Sequence, residues 1–345
     1  MADAAEDMSI ASVLECYGEM TRVALCDYLR PQEPRRHLYN LVADYPQRGG
    51  RMLRPSLCIA TARAFGAEPE DCLRTAVALE LLHNAFLVHD DVEDESDERR
   101  GRPTLNALYG MPVAVNVGDA LTLMGLRAML DNRERLGPWL SMQLVEETER
   151  MVRESIEGQA IELGWRRDNT LHLVEADYLR MVLKKTCWYT TIYPSRAGAL
   201  IGTRRALSAD QFVRFGFFLG AAFQIQDDLL NLRGDPARYG KELTGDIWEG
   251  KRTLMLIHLL RSASESERAR LGDFLRQSRA SRRAEDVEWV LDSMHLYGSL
   301  DYAAHVAHSL AGAARHEFEL LYAGIPDSAD RRFIAALSTW VLRRN

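Results

Sequence analysis

Cysteine is scarce and unpaired in this sequence: five in 345 residues, none in a CxxC spacing, an odd total. That pattern argues against a disulfide framework or a zinc site. Cys16, Cys26, Cys58, Cys72 and Cys187 sit among helix-like apolar residues and read as reduced core thiols of a cytoplasmic protein. Basic residues are in deficit too, with 43 Lys and Arg against 50 Asp and Glu for a net charge of -7. No surplus exists to track phosphates along a strand, so no nucleic-acid partner is expected. The opening MADAAEDMSIASVLE lacks the basic segment and apolar run of a secretory signal. No run approaches the roughly 18 consecutive apolar residues of a membrane span, so no transmembrane segment is expected. Period-two alternation is also nearly missing, which excludes a sheet-based fold.

What remains is helical. Hydrophobic residues make up 47% and charged residues 27%, ample material for a core. Apolar residues recur at three and four through 70–90, 138–165 and 208–232. Ser208 with Gln211 and Ser264 with Glu267 form candidate capping pairs. Pro194 should kink or interrupt the apolar stretch from Tyr178 to Gly202. With short breaks, no flexible linker and no repeat, residues 1–345 are expected to form a single large all-α domain.

The most charged stretch is LVHDDVEDESDERRGRPTLN, where seven acids occupy nine positions and two arginines follow. At about 100° per residue, His83 lies near +20°, Phe86 near -40° and Asp94 near +40° relative to Asp90. One stripe therefore runs from apolar residues through His83 and Phe86 into carboxylates. Asp90 and Asp94, one turn apart, repel by a few tenths of a kcal/mol in water and by more when buried. A second stripe matches it in GAAFQIQDDLLNLRGD, where Phe223, Gln224, Asp227 and Asn231 share a face. A single DDxxD is as readily a solvated face, but two, each ending an apolar helix, are harder to dismiss. Facing each other across a bundle, they form an oxygen-lined mouth over an apolar interior. Such a mouth suits Mg²⁺, which is held by one or two carboxylates plus substrate phosphates. The implied ligand is a diphosphate with an apolar tail. Basic residues able to grip phosphate lie nearby: Arg51, Arg54, Arg99, Arg100, Lys185, Lys241 and Lys251.

GGRMLRP, LELLHNAFLVHDDVEDESDERRGRPT, NVGDAL, GQAIEL, KKT, FQIQDDLLNLRGD and GKELTGDIWEGKRT, in that order over roughly 48–260, resemble the motifs of the trans-isoprenyl diphosphate synthases, or polyprenyl synthetases. The resemblance implies a helical bundle around a central cavity. It implies ionisation of an allylic diphosphate, attack by the double bond of isopentenyl diphosphate, proton loss and growth by five carbons. Asp90, Asp94 and Asp227, with Asp91 and Asp228 beside them, match the carboxylates that hold three Mg²⁺. Arg99, Lys185 and Lys251 match contacts to the allylic diphosphate, and Lys241 and Gln224 match their neighbours. Thr186 and Gln224 would orient groups near the carbocation, with the departing diphosphate as base. Arg51, Arg54, His83 and Arg100 match the isopentenyl diphosphate pocket, where the family usually has lysine at the position of Arg51. Asn231 stands where many members have a third aspartate, keeping an oxygen ligand. Glu162 replaces the usual aspartate after the GQ pair, and CWYTTIYPSR is bulkier than the common version.

The same resemblance makes Leu82, Ala85 and Phe86 the floor of the apolar channel. With only Phe86 bulky, it favours geranylgeranyl diphosphate as product over farnesyl diphosphate. It also implies a homodimer. Three other readings are a class I terpene cyclase, a non-catalytic regulatory subunit, and a synthase acting on a non-isoprenoid acceptor. DDLLNLRGD lacks the serine and glutamate of a cyclase's second motif, and a regulatory subunit tends to lose the acidic motifs kept here. Residues 1–45 and 265–345 carry only amphipathic patterning and are assigned no role.

Overall fold

The computed structural model describes residues 2–233 and 243–344, and it is all-α apart from one minimal hairpin. Helix α1 (Ala2–Tyr28) leads through a π-helical turn (Arg35–Tyr39) and two short helical segments to α2 (Leu53–Ala64) and α3 (Pro69–Glu93). The hairpin pairs β1 (Glu98–Arg99) with β2 (Arg102–Pro103). Then come α4 (Met111–Asp131) and α5 (Arg133–Arg167). Helix α6 (Glu175–Val182) runs into a π-helical segment (Leu183–Ile192) and α7 (Tyr193–Gly202). Helix α8 (Phe212–Arg233) carries the second acidic motif, and α9 (Gly245–Glu249) and α10 (Leu254–Ser262) follow. The remainder is α11 (Glu265–Arg276), α12 (Ala284–Leu296), α13 (Ser299–Leu321) and α14 (Ala329–Arg343).

Local chemistry sets the helix ends. Pro69 opens α3, where its missing N–H costs nothing, and Glu70 and Asp71 complement the positive end of the helix. Ser264 and Glu267 form the expected capping box on α11. Ser208 makes no such cap: a 3₁₀ turn, Ala209–Gln211, intervenes, and α8 starts only at Phe212. Pro194 acts less by kinking than by shifting the winding. It lies in the first turn of α7, directly after ten residues of π-helix, whose wider turn accommodates a ring that cannot donate to the preceding turn.

Close packing of α3 on α4 depends on absent side chains. A Cβ on Gly118 would lie 2.2 Å from Nε2 of His89, and one on Gly125 would lie 2.9 Å from Cγ of Leu82. Elsewhere α8 packs on α13 and on the π-helical segment, and α7 packs on α2. An aromatic cluster of Phe65, Phe212, Phe318 and Tyr322 fills the core behind α8. All five cysteines are free, but only Cys58, Cys72 and Cys187 are core thiols; Cys16 and Cys26 are exposed on α1.

Helix α4 modifies the expectation about membranes. Among the described residues it is the one helix long and apolar enough to cross a bilayer by length and composition, with 39% of its apolar window buried inside the protein. Its apolar character is divided between the seam with α3 and an outward face.

Candidate active site

The C-terminal ends of α3 and α8 meet at the mouth of a cavity of about 720 Å³. Asp90 lies on its wall. Asp91, one residue on and therefore turned by about 100°, is fully buried and points away. Its carboxylate accepts from Arg99 Nε at 2.7 and 2.8 Å, from Arg99 Nη2 at 2.5 Å and from the Tyr45 hydroxyl at 2.5 Å. Asp91, grouped with the metal carboxylates from sequence, is thus an anchor for Arg99. Burial alone would lower the Arg99 pKa, but Asp91 holds it above its usual value. Asp94 caps α3 and is 2% exposed, with its oxygens 2.5 Å from Arg166 Nη1 and 2.7 Å from Lys251 Nζ. Burial would raise its pKa, yet the paired cations hold it below the ordinary carboxylate value.

Arg99 and Arg100 are presented by the hairpin. The two-residue turn places Arg100 at φ 54° and Gly101 at φ 68°, the left-handed pair a tight β-turn demands. A non-glycine residue held at positive φ is a strained position of the kind that collects at functional sites. The Arg48 guanidinium braces the turn by donating to the carbonyls of Arg99 and Pro103 at 3.0 and 2.7 Å. The Arg100 guanidinium lies over Gly50, where a Cβ would come within 3.0 Å.

Helix α5 supplies the facing wall. At Gly158 an added Cβ would sit 2.1 Å from the backbone nitrogen of Lys185, so the GQ pair lets α5 press directly on the π-helical segment. From there Lys185 extends to an ion pair with Glu162 and lies 3.6 Å from Asp90. Burial opposes its charge, but Glu162 and Asp90 hold its pKa above the usual lysine value. The extra methylene of Glu162, compared with the family's aspartate, is spent on this contact. One turn earlier Gln159 donates to Glu93 at 2.5 Å.

On α8, Asp227 and Asp228 both line the cavity. Thr186 donates to Gln224 Oε1 at 2.8 Å, Gln224 Nε2 donates to Asp228 at 2.7 Å, and the Tyr178 hydroxyl donates to Asp228 at 2.8 Å. Burial pushes the Asp228 pKa up to about 7, against those hydrogen bonds. Asn231 does not reach the mouth. It is 3% exposed, and its Oδ1 accepts from the Asp246 backbone N–H at 3.1 Å, pinning the turn before Lys251. Lys251 lies 2.6 Å from Glu249 as well as beside Asp94, and these acids hold its pKa well above normal despite burial. Lys241 lies outside the described residues.

Arg51, Arg54, His83 and Arg100 line the same cavity. Arg54 stacks over Tyr189 at 4.3 Å and donates to Thr190 at 2.9 Å, with His83 Nε2 3.4 Å away. Glu80, fully buried behind them with its pKa raised by burial, is hydrogen-bonded by Asn84 at 3.1 Å. The C-terminal segment also contributes, which sequence patterning missed. Arg344 donates to Asp227 at 3.2 Å and stacks over Phe223 at 4.0 Å, and Trp340 lines the wall. The available signal was the basic pair ending VLRRN.

Of the three channel residues, Phe86 alone lines the cavity, edge-on to Tyr189 at 5.5 Å. Leu82 is turned into the seam at Gly125, and Ala85 is fully buried off the cavity wall. The apolar wall instead continues through Leu87, Thr122, Val152 and Ile156. As for a metal, no three His, Cys, Asp or Glu among the described residues form a self-sufficient cage. Single carboxylates from α3 and α8 at one mouth fit an ion that completes its shell with water and phosphate oxygens, as Mg²⁺ does.

A bundle of this kind, with acids on two helix ends above an apolar well and guanidinium groups at its rim, defines a diphosphate-handling enzyme. Residues 35–294 match the polyprenyl synthetase family. A short chain isoprenyl diphosphate synthase of Methanothermobacter thermautotrophicus is 32% identical over 98% of this chain and 99% of its own. The crystal structure of geranylgeranyl pyrophosphate synthetase from Pyrococcus horikoshii superposes with TM-score 0.85, at 29% identity, covering 98% of this chain and 99% of that one. A polyprenyl synthase from Caulobacter crescentus, crystallised with calcium and isoprenyl diphosphate, superposes with TM-score 0.84 at 26% identity, covering 97% of each chain. The chain belongs to the polyprenyl synthetase family and is a trans-prenyltransferase.

Gly158→Ala tests the wall geometry. The new methyl must push the Lys185 backbone outward, and were Lys185 to contact the substrate, a shift near 1 Å there would cost roughly 100-fold in rate. Steady-state kinetics should show a loss of that order carried mainly by kcat; an unaltered kcat would show that Lys185 tolerates the displacement.

Proposed function

We propose that this enzyme condenses isopentenyl diphosphate with allylic diphosphates, using Mg²⁺, and releases geranylgeranyl diphosphate. The observation that carries the reading is the division of one cavity into two cationic stations above a common apolar well. Arg99, Lys185 and Lys251 stand with the acids of α3 and α8, Arg51, Arg54, His83 and Arg100 stand with Glu80 and Tyr189, and Arg344, bonded to Asp227 and close to Arg51 and Arg54, bridges the two.

At the first station Asp90, Asp94 and Asp227 would hold the metal, with Asp228 behind Asp227. Bound there, Mg²⁺ adds positive charge to the departing diphosphate. Lys185 and Lys251, held protonated by their acid neighbours, and Arg99, fixed by Asp91, contribute charge that needs no reorganisation. Thr186 and Gln224, locked in one hydrogen-bonded chain to Asp228, orient the groups beside the developing carbocation. At the second station the arginine forks fix the homoallylic diphosphate bidentately. The double bond is then directed across the well at the cation. Departing diphosphate takes the proton.

The product analysis is decisive. With Mg²⁺, isopentenyl diphosphate and C5, C10 or C15 primers, the expected end product is C20, and chelation by EDTA should abolish it. No elongation with any primer would overturn the assignment in favour of a regulatory or unusual-acceptor role, and elongation that persists in EDTA would overturn the metal requirement.

Phe86 controls the length in this reading, being the one bulky ring of the three that faces the cavity. Phe86→Ala should move the product distribution beyond C20 by chromatographic analysis. An unchanged distribution would place the stop further along, at Thr122, Val152 or Ile156.

We also assign the chain to a homodimer and to one domain over 1–345, since one apolar core runs from Ile10 to Val341. The outward faces of α4 and α5 expose Leu123 at 67%, Leu126, Leu130, Trp139 at 80% and Met142, a run of large apolar side chains of the kind that marks an interface. The combined Leu123→Asp and Trp139→Asp substitutions should convert a two-chain mass into a one-chain mass by sedimentation. A one-chain mass for the unsubstituted protein would sink the assignment.

A further inference from the structure

Arg166 lies in the last turn of α5, where a cation complements the helix C-terminus. It shares that helix with Gln159 and Glu162, which reach Glu93 and Lys185. Its Nη1 donates to Oδ1 of Asp94 at 2.5 Å, and Lys251 Nζ lies 2.7 Å from Oδ2. Both oxygens of a carboxylate that is 2% exposed are therefore occupied by cations. The two cations differ in what else they can hold. Lys251 has Glu249 at 2.6 Å and Asp246 at 3.8 Å, so it can give up Asp94 and keep an acid partner. Asp94 is the one acid with which Arg166 forms an ion pair within 4 Å among the described residues.

A divalent cation arriving at Asp94 thus meets a carboxylate already neutralised twice. It gains little there by itself. A cation that arrives with a diphosphate brings negative charge that accommodates a displaced Lys251 or Arg166. We propose that Arg166 competes with the divalent cation for Asp94, and so couples metal binding to the arrival of the diphosphate. This rests on the metal and diphosphate reading above. Arg166 does not line the cavity and acts through Asp94, so it is a positioning residue.

The test measures metal binding rather than turnover. Mn²⁺ is titrated into the full-length protein by calorimetry, with and without inorganic pyrophosphate, for wild type, R166Q, D94N and the double variant. Wild type should bind Mn²⁺ far more tightly with pyrophosphate present. R166Q should bind Mn²⁺ alone at least about tenfold more tightly, narrowing that ratio by the same factor, since one close like charge is removed from the ion's site. In the D94N background the effect of R166Q should vanish. Arg166→Lys, which keeps the charge on a shorter reach, should lie between wild type and R166Q and carries the test should R166Q not fold. Wild type that binds no Mn²⁺ even with pyrophosphate would overturn the metal reading itself. Wild type that binds normally, with R166Q unchanged or weaker for Mn²⁺ alone, would overturn the role of Arg166 and leave that reading standing.

Discussion

Acids brought together at the ends of two apolar helices repel one another, and the structure around the mouth is organised by how that repulsion is met. Four of the buried carboxylates there have a partner from another segment. Asp91 is taken by Arg99 and Tyr45, Asp94 by Arg166 and Lys251, and Asp228 by Tyr178 and Gln224. Glu162 takes Lys185. An unpaired buried charge costs several kcal/mol, so breaking any one pair is expensive even where its formation contributes little net stability. The pairs therefore fix the register of α3 against the hairpin and against the turn that bears Lys251, of α5 against the π-helical segment, and of α8 against α6.

Such pairs need backbones close enough to meet, and the sequence provides this by leaving atoms out. Gly158 lets Lys185 start from the surface of α5. Gly118 and Gly125 draw α4 onto α3, which brings His89 and Leu82 into the seam and leaves Phe86 for the cavity. The π-helical winding of 183–192 runs directly into the helix whose first turn holds Pro194. That winding carries Lys185, Thr186 and Tyr189, three side chains that face the cavity. Backbone irregularity and function coincide because one extra residue per turn changes which side chains share a face.

Local periodicity was enough to read the helices through 70–90, 138–165 and 208–232, and the two acidic stripes with them. Their convergence on one cavity is the work of tertiary packing, which brings the ends of α3 and α8 together. What periodicity could not distinguish was the direction taken by adjacent acids. Asp90 and Asp91 look equivalent in a DD pair, yet 100° of rotation sends one to the cavity and the other to Arg99. Asn231 reads as a ligand by its place in the motif, whereas its oxygen serves a backbone N–H fifteen residues on. Ser208 reads as a cap until a 3₁₀ turn intervenes. Trp340 and Arg166 were invisible because their partners are set by tertiary packing, and the basic pair that includes Arg344 marks charge without saying where it points.

The same ion pairs that shape the mouth must also be exchanged when a polyanion enters it. Replacing one set of partners by another in a buried setting comes close to break-even, since desolvation has already been met. Lys251 illustrates the arrangement: with three acids within 4 Å it can change partners without being stranded. Arg99 cannot, because Asp91 grips it through two nitrogens and Tyr45 closes the far side. The mouth thus combines a fixed cation that sets geometry with a mobile one that follows charge. In the reaction proposed above, an apolar tail, indifferent to both, would run along Phe86 and the walls of α4 and α5. Charge then governs entry and leaving, while shape governs length.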